Sequence, residues 1–356
     1  LTLGELNVTD TVVIEGTGRP IVDAEGDSRV FNVDEADGVT IENFDLRNGV
    51  APHSTDRGGV VQINASTVDI VGSRLSGGQA NFGGGIYAQN SELTVLRTVV
   101  QGNTAGHPDS FMNSGSTQRG GGISALKGTT TIDSSSVIAN RAVRGGGVSI
   151  AGGQVFITNT SILENEAVQR GGGFELVPSE GEEPDMHMAW STVARNEAGS
   201  VYGDGDAYRT GGGFYLSTGS LISANSIIAE NTTALDSTNE YYGPDCYNST
   251  PGAFVSYRGN LVGILTDTCV MHDSHFDEQL PWDTFGSAAT PVDPEFTTIS
   301  YAVRPVMQLG AGSPAVDHGT GAPGVEFYGY CPGLDGRDNP RPADDGLCDI
   351  GATERQ

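Results

Sequence analysis

Three arginines stand at the same place before a run of three glycines: Arg119 in "RGGGISA" (119–125), Arg144 in "RGGGVSI" (144–150) and Arg170 in "RGGGFEL" (170–176). A guanidinium is a planar fork of N–H donors that matches carboxylate and sulfate oxygens, so a row of them is chemistry for an acidic partner. Arg141 lies beside the row. On either side of these copies run longer segments, "TAGHPDSFMNSGSTQ" (104–118) with His107 and Asp109, and "EAGSVYGDGDAYRT" (197–210) with Tyr202, Asp204, Asp206, Tyr208 and Arg209. The expected substrate-binding set is Arg119, Arg141, Arg144, Arg170, Tyr202, Tyr208 and Arg209, arginines facing acid groups and tyrosines facing sugar rings. The competing reading is structural: each arginine packs its stem over a glycine turn and pairs with Glu164, Glu166 or a similar carboxylate.

Catalysis at this place would take one of two forms. A polysaccharide lyase needs a cation or an arginine to neutralise a uronate and a base for its C5 proton, for which His107, Arg144 and Tyr208 are the candidates. A glycosidase needs two carboxylates about 5–9.5 Å apart. Asp204 and Asp206 read better as turn formers, and next as oxygen ligands for Ca2+, although the full EF-hand pattern is missing. His53, His187, His272, His275 and His318 lack the HExxH spacing of a zinc protease, and no GxSxG nucleophile elbow occurs.

The elements that must position these residues are repeats. Five twelve-residue segments align without gaps and end in asparagine: "ELTVLRTVVQGN" (92–103), "TTTIDSSSVIAN" (129–140), "QVFITNTSILEN" (154–165), "DMHMAWSTVARN" (185–196) and "SLISANSIIAEN" (220–231). Their ninth position reads Val100, Val137, Ile162, Val193 and Ile228, and their seventh Thr98, Ser135, Thr160, Ser191 and Ser226. Weaker copies ending at Gly49 and Gly78 carry Leu46 and Leu75 at the ninth position. Apolar and polar residues alternate early in each copy, as at Val155 and Ile157, which is the period of a strand with one buried face.

Successive copies end at residues 49, 78, 103, 140, 165, 196 and 231, so the shortest unit is 25 residues. A unit that short, holding brief strands and glycine turns, predicts one coil of a parallel β-helix. The glycines then punctuate the fold, permitting positive φ and close approach where the chain turns, and the asparagines stack at another corner. A phosphate-cradling loop would need a helix and a P-loop lysine, and the only lysine is Lys127. The two long segments fall at the same corner, three coil steps apart, roughly 14 Å at strand spacing, and are expected to wall a groove floored by the arginines. "EGEEPD" (180–185) is a smaller insertion at a different corner, expected to be a solvated loop.

The formal charge of −27 argues against nucleic acid and anionic membrane surfaces as partners, since phosphate contacts need a basic face. No run approaches the roughly 18 apolar residues of a membrane span, so no membrane insertion is expected. Cys246, Cys269, Cys331 and Cys348 all lie in the last third and lack the CxxC spacing of a zinc site. Local pairing, Cys246–Cys269 and Cys331–Cys348, is the simplest of three possible connectivities and suits an oxidising compartment.

The N-x-A and triple-glycine repeats over about residues 38–231 resemble right-handed parallel β-helix proteins, including polymorphic outer-membrane-protein repeats. The tail, "GAGSPAVDHGT" (310–320) and "CPGLDGRDNPRPADDGLCDIGATE" (331–354), is similar to the ending of choice-of-anchor Q domain proteins. It departs from that pattern in "DGRDNPRP", where a glycine more often follows the arginine. The resemblance implies an exported bacterial β-helix and implies no catalytic residues. The expected architecture is therefore all-β: a single-stranded right-handed parallel β-helix over 1–295, with an irregular, disulfide-bearing C-terminal cap at 296–356 covering the open end as part of the same unit. The expected function is a secreted or cell-surface scaffold that binds an extended acidic polysaccharide in the lateral groove, in an adhesin or matrix role. The alternatives are a polysaccharide lyase or glycoside hydrolase using that groove, and a purely structural fibre former.

Overall fold

The computed structural model describes residues 4–52, 56–106, 117–199, 210–234, 243–249, 254–273, 283–301, 304–319, 331–341 and 348–355. The chain winds as a right-handed parallel β-helix, and one coil shows how. Val148–Ala151 and Gln154–Thr158 lie in the first, largest sheet, Ser161–Leu163 in a second, and Glu166–Arg170 in a short third. Each strand pairs in parallel with its counterparts in the coils before and after. Two coils run through the bend of the first sheet without a break, in Ile86–Leu96 and Ile123–Asp133.

The repeat frame read from the sequence is the strand register. Leu46, Leu75, Val100, Val137, Ile162, Val193 and Ile228 stand in one column along the second sheet, all fully buried. A second column in the first sheet runs Ile86, Ile123, Val148, Phe174, Phe214 and Cys246. Within it the Phe174 and Phe214 rings stack at 5.0 Å, and each buried phenyl group contributes about 2–3 kcal/mol of transfer free energy.

The asparagines form a ladder inside the corner between the second and third sheets. Asn165 Oδ1 accepts both the backbone N–H and the side-chain amide of Asn140, while its own Nδ2 donates to Val137 O and to Asn196 Oδ1. The same pattern runs from Asn103 to Asn231. Hydroxyls of Thr98, Ser135, Thr160, Ser191 and Ser226 make a parallel ladder at the corner between the first and second sheets.

Each of the three glycines has its own constraint. Gly145 has φ 59°, the left-handed region. A Cβ on Gly146 would lie 2.5 Å from the carbonyl oxygens of Glu166 and Gly172, and one on Gly147 would lie 3.0 Å from the amide of Asn165. The third glycine is thus the space that the asparagine ladder fills.

Both disulfides form as the local pairing predicts. Cys246–Cys269 (Cα–Cα 5.4 Å) is buried in the core of the last coils, and Cys331–Cys348 (6.2 Å) lies in the tail. The tail differs from the expectation in where it lies: its described part packs along the flank of the helix, on the outer face of the second sheet. Its antiparallel hairpin, Phe296–Ser300 with Val306–Leu309, sets Met307 on Val99, Ile138, Leu163 and Ala194. Further along, Ala315 and Ile350 cover Ile227, Ala229 and Leu261. Gly351 N–H donates to Asn225 O and Ala352 N–H to Thr192 Oγ1, so backbone bonds tie the tail to successive coils. The physical reason is apolar area: the tenth repeat position points away from the core yet carries Ile138, Leu163, Ala194 and Ala229, and burial of that stripe against the tail is favourable.

Candidate functional site

The arginines are in register as the repeat requires. Arg119 bridges Arg144, and Arg144 pairs with Arg170 across the third sheet. The row extends upstream through Phe82 to Arg57, from the degenerate copy "DRGGVVQI" (56–63), which carries two glycines instead of three. Arg57 Nη1 donates to Gln89 Oε1 at 2.9 Å, and its guanidinium lies 5.1 Å from the centre of the Tyr87 ring. Burial pushes the Tyr87 hydroxyl above its ordinary pKa.

Beneath the row lies a glutamate, as the structural reading expects, though at another position. Arg119 and Arg170 do not pair with Glu164 or Glu166; they converge on Glu175, whose side chain is fully buried. Glu175 occupies the outward-facing column Tyr87, Ser124, Ser149, Glu175, Tyr215, Tyr247 of the first sheet. Because Ser149 is small, the Glu175 carboxylate reaches back along the axis. Its Oε1 accepts from Arg119 Nη1 at 2.9 Å and from Ser149 Oγ at 2.9 Å. Arg170 Nε lies 3.5 Å from Oε2, a charge contact outside hydrogen-bond geometry, and the Arg170 guanidinium stacks 4.3 Å from the Tyr215 ring centre. Tyr215 stacks in turn on Tyr247 at 5.3 Å.

Arg144 sits between these two guanidiniums. The strand Glu166–Arg170 holds one residue more than Arg141–Arg144, and the register shifts there as in a bulge, which aims Gln169 at the row. Gln169 Oε1 accepts from Arg144 Nε at 2.7 Å, while among the described residues the two terminal nitrogens of Arg144 have no hydrogen-bond partner. Burial, then the charges of Arg170 and Arg119, hold the Arg144 guanidinium below its ordinary pKa. Arg141 does follow the structural expectation, pairing with Glu166 at 3.2 Å.

The remaining predicted residues separate into two groups. His107, Asp109, Tyr202, Asp204, Asp206, Tyr208 and Arg209 lie outside the described residues, as do His53 and His275. Their segments leave the row's neighbourhood from Thr104–Ala105 and Glu197–Ala198, strands of the third sheet in line with Arg141 and Glu166. Of the other histidines, His187 stacks on Phe156, His272 is exposed on Met271–Asp273, and His318 contacts the Val316 carbonyl. Among the described residues no group of three or more His, Cys, Asp or Glu side chains converges as a metal site would need. The "EGEEPD" segment turns over Ser179–Glu182, and its Glu180 pairs with Lys127 on the surface.

The strand register and the disulfides define the class: a parallel β-helix with a laterally packed tail. No family model matches the sequence, and no curated protein matches it. Among solved structures the chain is similar to the crystal structure of pectate lyase Pel9A, at 12% identity and a TM-score of 0.44, over 97% of this chain and 83% of that one. At that score the likeness carries no argument about what this chain does. Among the described residues no helix is long and apolar enough to cross a membrane.

Proposed function

We propose that this protein is an exported β-helix scaffold that binds an extended acidic polysaccharide along its lateral arginine row. The observation that carries this reading is the register of Arg119, Arg144 and Arg170 on the outside of a chain whose formal charge is −27. Coils advance by roughly 4.8 Å, so the row offers guanidiniums at a regular spacing suited to a linear polyanion rather than to a compact ligand. Two disulfides support an oxidising compartment, and the tail's resemblance to choice-of-anchor Q domains supports display on a bacterial surface.

The test is affinity electrophoresis against a panel of uronic-acid and sulfated polysaccharides. Replacement of Arg119, Arg144 and Arg170 together by alanine is expected to weaken retardation by at least about tenfold. A triple variant that migrates like the parent in every gel would remove the reading.

One observation favours a second reading, β-elimination on a uronate: among the described residues the terminal nitrogens of Arg144 are unengaged, and Arg119 and Arg170 flank it in register. In that reaction His107 or Tyr208 takes the C5 proton while Arg144 neutralises the carboxylate. The C–H electrons form the C4–C5 double bond, the C4–O bond breaks, and the leaving oxygen takes a proton from His107, Tyr208 or water. The ultraviolet absorbance of the unsaturated product decides it: no rise with any uronate polymer, with calcium or with chelator, while binding persists, leaves the scaffold reading alone.

A further inference from the structure

The row is not three equivalent cations. Glu175 is fully buried and in direct contact with the two outer guanidiniums, while Arg144 feels it only through space, and its carboxylate also accepts from Ser149. The outer pair is thereby held down on the sheet, each side chain about one fifth exposed, with Arg170 further fixed on Tyr215. The middle guanidinium is built differently. Among the described residues only its Nε is engaged, by the bulge residue Gln169, which leaves the terminal fork for a ligand.

We infer that Glu175 is a built-in counter-ion that makes Arg144 the anion position of the row, so that the site selects a polysaccharide whose acid recurs at intervals instead of on every sugar. This rests on the reading of the row as a polysaccharide site. Coils advance by roughly 4.8 Å, a step comparable to one sugar of an extended chain. A homopolymer of uronates seated on Arg144 would therefore place its neighbouring carboxylates over Arg119 and Arg170, which Glu175 already contacts directly. Those carboxylates would meet guanidiniums that Glu175 already engages, whereas the acid on Arg144 meets a terminal fork unengaged among the described residues, and an uncompensated charge of this kind is how a site rejects a near-identical ligand. A chain that alternates uronate with a neutral sugar places one carboxylate on Arg144 and uncharged rings on either side.

The experiment compares hyaluronan, an alternating uronate and neutral-sugar chain, with polygalacturonate, an acid on every sugar. Parent, Glu175→Gln, Glu175→Ser and the triple arginine variant are titrated with each polymer, with thermal melts to confirm folding. Serine is the residue that Ser124 and Ser149 place at this register, so it guards against misfolding of the glutamine variant. The parent is expected to bind hyaluronan about tenfold more tightly, and loss of the carboxylate is expected to raise polygalacturonate affinity about tenfold and bring the ratio near one. A ratio unchanged in both folded Glu175 variants, or a parent that prefers polygalacturonate, overturns the inference. If the triple arginine variant loses binding while the ratio ignores Glu175, the polysaccharide reading stands and this inference alone fails. If the triple variant keeps all binding, both fail.

Discussion

Two corners of the same coil, a few residues apart in the chain, are built on opposite rules. At the asparagine corner each interior rung bonds an identical rung above and below, as Asn165 does with Asn140 and Asn196. At the arginine corner the contacts join unlike positions in different coils: Glu175 from one, Ser149 from the coil before, Arg119 from the coil before that. The first rule closes a fold, because each bond is repeated for every coil added. The second makes one place on the solenoid different from all others, which is what a recognition site on a repeat scaffold requires.

The largest effect that would sharpen this contrast is backbone crowding at the glycine turn. Gly146→Ala puts a Cβ 2.5 Å from two carbonyl oxygens, with no flexible side chain to move. It is expected to cost more than about 3 kcal/mol, whereas Gly102→Ala, with open space around it but φ of 61°, is expected to cost about 1 kcal/mol. Thermal or denaturant unfolding of both variants checks this. Equal costs would mean that the turn is held by φ alone and that packing against the next coil is not limiting.

Next is the interior rung. Asn165→Ala leaves the Asn140 N–H and amide without their acceptor and Val137 O without its donor, all buried. Each orphaned group costs about 1–3 kcal/mol, so a loss of several kcal/mol is expected in chemical denaturation, with the arginine row's ligand affinity unchanged once the variant is folded.

The ladder also has an end, and there the two corners meet. Asp245 stands where earlier coils have the third glycine, and its Oδ1 accepts from Asn231 N–H and Nδ2 while Oδ2 accepts from Ile264 N–H. A final rung that only accepts suits a carboxyl group, yet burial raises its pKa from 3.8 to about 7. A carboxyl with a raised folded pKa binds its proton more tightly in the native state, so its stabilising contribution is full below pH about 4 and lost as pH rises to about 7. At about 1.4 kcal/mol per unit the swing is a few kcal/mol. Asp245→Asn should flatten that part of the stability–pH curve relative to the parent, at a constant cost for the amide facing Ile264 N–H. Parallel curves for the two proteins would show that Asp245 does not titrate in this window.

The contrast also explains what the sequence could and could not show. The columns Val100 to Ile228, the asparagine ladder and the glycine turns were legible because contacts between identical positions print the same residue every coil. Glu175 was hidden for the converse reason: its contacts have no period, and its only signal is a charged residue where the other copies carry Tyr87, Ser124, Ser149 and Tyr215. Gln169 left a trace in length, since "EAVQRGGGF" is one residue longer than "RAVRGGGV". The tail's place on the flank was readable in principle from apolar residues at the tenth repeat position, which a solvated face would not carry. A cap at the end was the natural expectation only while those residues were unassigned.

The smallest expected effect falls on Arg141, which belongs to the row by sequence and not by structure. It pairs with Glu166 through side chains that are 42% and 37% exposed, so solvent screens the pair and its loss should change stability by less than about 0.5 kcal/mol. Arg141→Ala is likewise expected to change polysaccharide affinity less than threefold, against the tenfold or more expected of Arg144→Ala. The comparison is decisive because the two arginines begin and end one short strand, Arg141–Arg144, and differ mainly in their partners. Should Arg141→Ala weaken binding as much as Arg144→Ala, the ligand would have to run across the third sheet as well as along the row. Glu166 would then be a second displaced counter-ion, and the difference between the two corners would be one of degree.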